Sequence, residues 1–293
     1  MRRAPTPILA LVAVTAIWGY TFVPVQKAVG AYPLFAFLAV RFAISTVALA
    51  PFALRPLRDL PRGGWVGGTV AGAFLALAYG LQTAGLELTT VTSTGFITGL
   101  YVVFTPFLAL AAHRTPVPAA VWVGVVFALA GLLLLSGAPG GSWAGNLLVL
   151  GNAVAQSFQI VAMERFAPRY DARALTILQM AVACAGFAVV AVVAGQVEAP
   201  PDAATWYALV VTGVFAGALG YLVVTWVQSR TTAARAALVF TLEAPFAALF
   251  GVLLLSEQLG WVGWAGCAVM LAGIVLAEPA AAATLRRLVG RAA

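Results

Sequence analysis

Two ionisable side chains lie deep inside long apolar stretches of this 293-residue chain. Glu243 is at the centre of the mostly apolar run 232–255, and Arg41 is near the centre of the run 33–54. In hydrocarbon, each charge alone costs about 2.5–3.5 kcal/mol on insertion scales, so such residues are functional candidates. A carboxylate can bind a proton or an ammonium group, and a guanidinium can bind a carboxylate. We therefore expect both to face a central cavity; the alternatives are a structural ion pair or an arginine that extends to the interface.

Aromatic and amide side chains occur at similar depths in the other apolar runs. A pocket with apolar and aromatic walls and a few placed polar groups is the usual form of a small-ligand site. Such a pocket suits an amphipathic solute with a zwitterionic head. For any one of these residues, helix packing is an equally good interpretation, because polar side chains also join membrane helices. The predicted substrate-binding residues are Trp18, Phe22, Arg41, Tyr79, Gln82, Tyr101, Asn152, Gln156, Tyr221 and Glu243.

The composition requires that these residues sit in a membrane. The chain is 63% apolar and 9% charged, and its mean hydropathy is +1.02, which excludes an ordinary soluble enzyme. A helix needs about 20 mostly apolar residues to cross the bilayer, and the runs do not alternate in polarity as barrel strands do. We predict an all-α integral membrane protein with ten transmembrane helices, called spans 1 to 10. Their predicted limits are 7–28, 33–54, 65–86, 91–112, 116–136, 143–163, 173–195, 205–228, 232–255 and 259–277.

The basic residues predict an orientation. Of the 16 Lys and Arg residues, 14 fall at the N-terminus, in alternate connections, or in the C-terminal tail. Because positive charge stays on the cytoplasmic side, both termini are expected to be cytoplasmic. The orientation in the membrane then accounts for the net charge of +7, and a nucleic-acid partner is not expected. Span 1 is expected to be retained rather than cleaved as a signal peptide, because it is long and contains Pro24 and Lys27.

The sequence also contains an internal repeat. Phe104-Thr105-Pro106-Phe107 is followed by a Trp-x-Gly-x6-Gly pattern from Trp122, and Glu243-Ala244-Pro245-Phe246 is followed by the same pattern from Trp264. We predict two halves, 1–138 and 139–293, of five spans each. Five is odd, so the second half must be inverted relative to the first, an arrangement typical of secondary transporters with a central site. Pro106 and Pro245 hold matching positions and are predicted hinges, with a static kink as the alternative.

Several short motifs resemble those of EamA-type drug/metabolite transporters. They are Trp18-Gly19 with Phe22-Val23 and Lys27, then Arg41-Phe42, and Glu243 fourteen residues before Glu257 with Pro245 displaced by one position. The resemblance covers essentially the whole chain. The first half departs from it, since Thr105-Pro106 is followed by His113-Arg114 without an acidic residue. The resemblance implies a carrier of amino acids, nucleobases, sugar derivatives or other metabolites in a bacterial-type inner membrane. Within the family, the composition of the chain most resembles that of amino-acid exporters, including those for aromatic amino acids.

Other functional classes lack their residues. His113 is the single histidine and lies at a span end, so nucleophilic catalysis has no nearby base, and neither an enzyme nor a metal site is expected. The two cysteines, Cys184 and Cys267, lie in apolar runs. No segment resembles an ion-selectivity filter, and the single lysine, Lys27, is outside any ATP-binding loop. We expect an alternating-access carrier without a cofactor, whose partners are a small-molecule substrate and the bilayer. Proton coupling, flux direction and oligomeric state stay open.

Overall fold

The computed structural model describes residues 6–114, 117–136 and 142–277, and within these ranges it consists of helices and short connections. The elements are α1 (Thr6–Val29), α2 (Leu34–Arg58), α3 (Arg62–Leu86), α4 (Val91–Gly99), α5 (Tyr101–His113), α6 (Ala119–Ser136), α7 (Trp143–Phe166), α8 (Ala172–Val193), α9 (Ala203–Val210), a π-helix (Val211–Gly220), α10 (Tyr221–Gln228), α11 (Ala233–Phe240), α12 (Glu243–Leu255) and α13 (Trp261–Ala277).

These helices form the ten predicted spans. Span 4 comprises α4 and α5, span 8 comprises α9, the π-helix and α10, and span 9 comprises α11 and α12. Eight spans are long and apolar enough to cross a membrane, and the other two are the shorter apolar helices Ala119–Leu134 and Trp261–Ala277. The predicted all-helical membrane fold is therefore confirmed. The limits differ by a few residues, most at span 2, whose helix continues to Arg58.

The two ends of the bundle differ in charge. We call the end that carries the connections 59–61, 167–171 and 229–232 the basic face, because exposed arginines surround these connections. The opposite face carries the connections 30–33, 87–90, 194–202 and 256–260.

Four helices begin at a side-chain cap. At each cap, a Thr, Ser or Asp oxygen accepts a hydrogen bond from a backbone N–H of the first turn, which would otherwise have no partner within the helix. The caps are Thr90, Ser142, Asp171 and Asp202.

Three spans are irregular near the middle of the bundle: span 8 contains the π-helix, and spans 4 and 9 are divided into two helices each. Span 4 breaks at Leu100, and span 9 breaks at Thr241 and Leu242. Pro245 has no N–H to donate to Thr241, four residues earlier, which accounts for the break in span 9. Pro106 lies six residues after the break in span 4. Both predicted hinge prolines therefore follow a helix break, and their role as hinges stays a prediction.

Helices of the first half contact helices of the second half along most of their length. Span 5 packs on span 10, span 3 on spans 6 and 7, span 2 on span 7, and span 1 on α12. Glycines allow several of these close approaches. A Cβ on Gly131 would lie 2.5 Å from the carbonyl oxygen of Gly266, and one on Gly19 would lie 2.7 Å from the nitrogen of Ala247. The space between the halves is thus set by backbone contacts, which position any site there.

The contact between spans 5 and 10 gives a stability prediction. Gly131→Val should lower the free energy of unfolding by about 1–3 kcal/mol, because the added atoms meet backbone that cannot move aside. The measurement is thermal unfolding of the purified protein in detergent. Gly186→Val is the matched control, since a Cβ there meets nothing within 4 Å. Equal melting temperatures for the two variants would contradict the close packing.

Candidate substrate site

A cavity lies between the two halves at mid-depth in the bundle. We call it the central cavity. Four spans contribute to it: α1, α2, α3 and the first turn of α12. Its lining residues are Trp18, Thr21, Phe22, Val25, Arg41, Tyr79, Gln82, Thr83, Leu86 and Glu243.

Helical periodicity brings these residues to one place. Three- and four-residue steps along α1 place Trp18, Phe22 and Val25 on one face, and the same steps along α3 place Tyr79 and Leu86 on one face. Six of the ten predicted substrate-binding residues line the cavity: Trp18, Phe22, Arg41, Tyr79, Gln82 and Glu243.

The two buried charges are both in this lining. The Arg41 side chain is 4% exposed and that of Glu243 is 7% exposed. The Arg41 guanidinium carbon lies 4.6 Å from the centre of the Tyr79 ring, a distance at which a cation is attracted to the ring face. Among the described residues, the one ion pair within 4.0 Å is Arg173 with Asp171 at the basic face. Arg41 and Glu243 therefore share the cavity without a direct salt bridge.

Each charge also has a local feature that matters for binding. Glu243 is the first residue of α12, where the helix dipole favours a negative charge. The break in span 9 creates this helix N-terminus in the middle of the bundle. The Arg41 Nε is buried and has no hydrogen-bond partner, and an unpaired buried donor costs free energy. The guanidinium is thus able to bind one further acceptor.

Aromatic rings surround the side of the cavity nearest span 8. The Trp18 ring lies 5.2 Å from Tyr221 and 5.7 Å from Phe240, and Tyr79 lies 6.2 Å from Tyr221, measured between ring centres. The Trp18 indole N–H donates to the carbonyl of Ala216 at 3.1 Å. Ala216 belongs to the π-helix, a distortion often found at functional sites.

The other four predicted residues lie behind the lining. Tyr221 contacts Trp18 and Tyr79, as above, and Gln156 lies next to Tyr221. The Tyr101 ring packs edge-on against Phe240 at 6.4 Å. The Asn152 amide donates to the Thr98 hydroxyl at 2.9 Å, which also accepts from the Gln82 amide at 3.2 Å. These residues support the lining, and a direct role in binding stays a prediction.

The sequence prediction missed four lining residues: Thr21, Val25, Thr83 and Leu86. Each lies three to seven residues from a predicted residue on the same helix, so helical spacing from Trp18 and Tyr79 was the signal that could have found them. They are two hydroxyls and two apolar side chains, types that are common throughout these spans and carry no signal by themselves.

The central cavity is closed in this structure. The space that a water-sized sphere can occupy is about 10 Å³, about the room that one water molecule needs. At the opposite face, the Gln26 amide donates to the carbonyl of Thr89 at 3.2 Å, and the Thr92 hydroxyl donates to the carboxylate of Glu257. A substrate larger than water therefore requires the helices to separate.

Comparisons with known proteins agree with this architecture. The EamA-like transporter family matches residues 5–137 and again residues 143–277. An uncharacterized transporter of Archaeoglobus fulgidus is 30% identical over 271 residues, which cover 92% of this chain and 84% of that protein. The crystal structure of another protein superposes on this chain with a TM-score of 0.76 at 21% sequence identity. The superposition covers 98% of this chain and 99% of the other. At that identity, the superposition shows the fold alone.

The shared hydroxyl of Thr98 gives a second stability prediction. Thr98→Val removes the acceptor of two amide donors, those of Gln82 and Asn152, and should lower the free energy of unfolding by about 1–3 kcal/mol. Thr46→Val is the matched control, because the Thr46 hydroxyl makes one bond to a carbonyl of its own helix, that of Phe42. Denaturation of the two variants in the same detergent provides the measurement. A Thr98→Val protein as stable as the control would show that the two amides find other partners.

Proposed function

The chain belongs to the EamA-like transporter family, and we propose that it carries a small zwitterionic metabolite across the membrane by alternating access. The preferred substrate class is an apolar or aromatic amino acid, moved outward. Other metabolites of similar size are the alternative. The basic face is proposed to be cytoplasmic, because positively charged connections stay on that side, in a bacterial-type inner membrane.

The observation that supports this proposal is the pair of opposite charges in one closed, partly aromatic cavity. Arg41 and Glu243 both line the central cavity without a salt bridge within 4.0 Å. Buried charges require compensation, and an amino acid brings one charge for each. Its carboxylate would bind the Arg41 guanidinium, and its ammonium group would bind Glu243. Its apolar side chain would lie against Phe22, Trp18 and the Tyr79 ring.

Three features support alternating access. The two halves contact each other along most spans. In transporters with inverted repeats, the contact surface between the repeats is where the movement takes place. The helix breaks at Leu100 and at Thr241 to Leu242 lie at mid-depth and interrupt span 4 and its partner span 9. The hydrogen bonds at the opposite face close that side of the cavity, and they would break when it opens. Pro106 and Pro245 are the proposed hinges.

Glu243 also supports a role for protons. When the substrate leaves, the Glu243 carboxylate is left in a buried cavity without a salt bridge to Arg41 within 4.0 Å. A proton can then replace the substrate ammonium at Glu243, which would couple outward transport to proton uptake. A facilitator that uses no proton would leave this carboxylate in its charged state throughout the cycle.

The proposal predicts large effects at both charges. In proteoliposomes, the unchanged protein should show counterflow of labelled phenylalanine. Arg41→Gln and Glu243→Gln should each reduce its initial rate at least tenfold, a loss of about 1.4 kcal/mol of transition-state stabilisation. Glu243→Gln should also abolish any acceleration by a pH gradient.

Exposed residues of the same type provide the matched controls, Arg58→Gln and Glu198→Gln, which should keep the original rate. Absence of counterflow for every amino acid tested would overturn the substrate class. Unchanged rate and pH dependence in Glu243→Gln would overturn the proton role.

A further inference from the structure

Buried polar atoms without partners continue from the central cavity toward the basic face. Eight buried side-chain atoms of the described residues make no hydrogen bond. Apart from the Arg41 Nε, all of them lie on spans 4, 6, 8 and 9, at mid-depth or in the half nearer the basic face. They belong to Tyr101, Thr105, Glu164, Gln228, Thr232 and Arg235.

Gln228 is the strongest of these cases. Its side chain is 2% exposed, and both its amide nitrogen and its amide oxygen lack partners. Burial without a partner is unfavourable for both atoms. Other buried glutamines of the chain differ: the Gln159 amide donates to Gln179 at 2.8 Å. An unpaired amide at such a position is suited to bind a ligand.

Helix geometry aligns Gln228 with the central cavity. Tyr221, which contacts Trp18 and Tyr79 beside the cavity, lies seven residues earlier on α10. Seven residues are two helical turns, so Gln228 is on the same face and about 10 Å closer to the basic face. The α10 helix contacts both α7 and α11, which carry the other unpaired groups at this depth.

Two opposite charges lie on the helices that contact α10. Glu164 lies seven residues after Ser157, whose hydroxyl bonds the carbonyl of Tyr101, so Glu164 is on the face of α7 that contacts span 4. Arg235 lies near the start of α11, one turn beyond Thr232 at the N-terminus of span 9. Both charged side chains are half-buried, and each has a buried polar atom without a partner. No salt bridge within 4.0 Å joins them, as the described ion pair is elsewhere.

We infer that Gln228, Glu164, Thr232 and Arg235 form a second binding site for a zwitterionic amino acid, between the central cavity and the basic face. Glu164 receives the ammonium group, Arg235 receives the carboxylate, and the Gln228 amide bonds whichever end is nearer the centre. This site would bind the substrate through the same pair of opposite charges as Arg41 and Glu243, at a position nearer the basic face. The inference rests on the proposed function, because it assumes that the chain carries such a substrate.

Equilibrium dialysis of the purified full chain with labelled phenylalanine tests this site. We expect two binding events per chain. Gln228→Met, which keeps the size of the side chain and removes its polar atoms, should eliminate one event or weaken it at least tenfold. Arg41→Gln should eliminate the other. Gln159→Met is the matched control: it breaks a hydrogen bond between buried amides, so it should lower the melting temperature and leave two events.

The outcomes separate this inference from the proposed function. No phenylalanine binding at all would overturn the proposed substrate class, and with it the second site. One event per chain that Arg41→Gln removes would support the central site and overturn the second. A second readout serves if Gln228→Met does not fold: Gln228→Cys, with Cys184 and Cys267 replaced by alanine, should react with a membrane-impermeant thiol reagent added at the basic face. Phenylalanine should protect it, and no reaction, or reaction without protection, would overturn the second site.

Discussion

The need to compensate two buried charges determines how the centre of this protein is built. Arg41 and Glu243 reach the same cavity from spans 2 and 9, and each would be unfavourable alone in hydrocarbon. The protein provides partial compensation: the Tyr79 ring lies beside the guanidinium, and the N-terminus of α12 lies at the carboxylate. Neither replaces a full counter-ion. A site that is incompletely compensated without substrate binds a zwitterion more strongly than one whose charges already pair with each other.

The remaining structure positions the two spans that carry these charges. Glycine contacts such as Gly131 with Gly266 bring the halves to backbone contact, and the breaks in spans 4 and 9 produce helix ends inside the bundle. The π-helix of span 8 accepts hydrogen bonds from two first-half side chains, Trp18 through the Ala216 carbonyl and Ser45 through the Gly213 carbonyl. Side-chain hydrogen bonds from one half to backbone of the other thus occur beside the site.

Sequence patterns predicted most of the architecture, because a span is a long apolar run and a charge within it is conspicuous. The two charges, Arg41 and Glu243, were found in this way, and four further lining residues were predicted as aromatic and amide side chains at similar depth. These patterns did not find the π-helix, since Val211–Gly220 has an ordinary apolar composition, or the break at Leu100, since no proline lies within the four residues that follow it. Depth alone also could not separate Trp18, which lines the cavity, from Tyr101, which packs behind it against Phe240. The angular position of each helix, which tertiary packing sets, decides that difference.

We propose that Arg41 and Glu243 hold the two charges of one substrate. It is tested most directly by the binding of phenylalanine, phenethylamine and 3-phenylpropionate to the unchanged protein and to the Arg41→Gln and Glu243→Gln variants. The unchanged protein should prefer phenylalanine to each single-charge analogue by at least tenfold. Arg41→Gln should lose the preference over phenethylamine, and Glu243→Gln should lose the preference over 3-phenylpropionate. If both substitutions weaken all three ligands equally, the two residues do not contact the charges of the substrate, and the account is wrong.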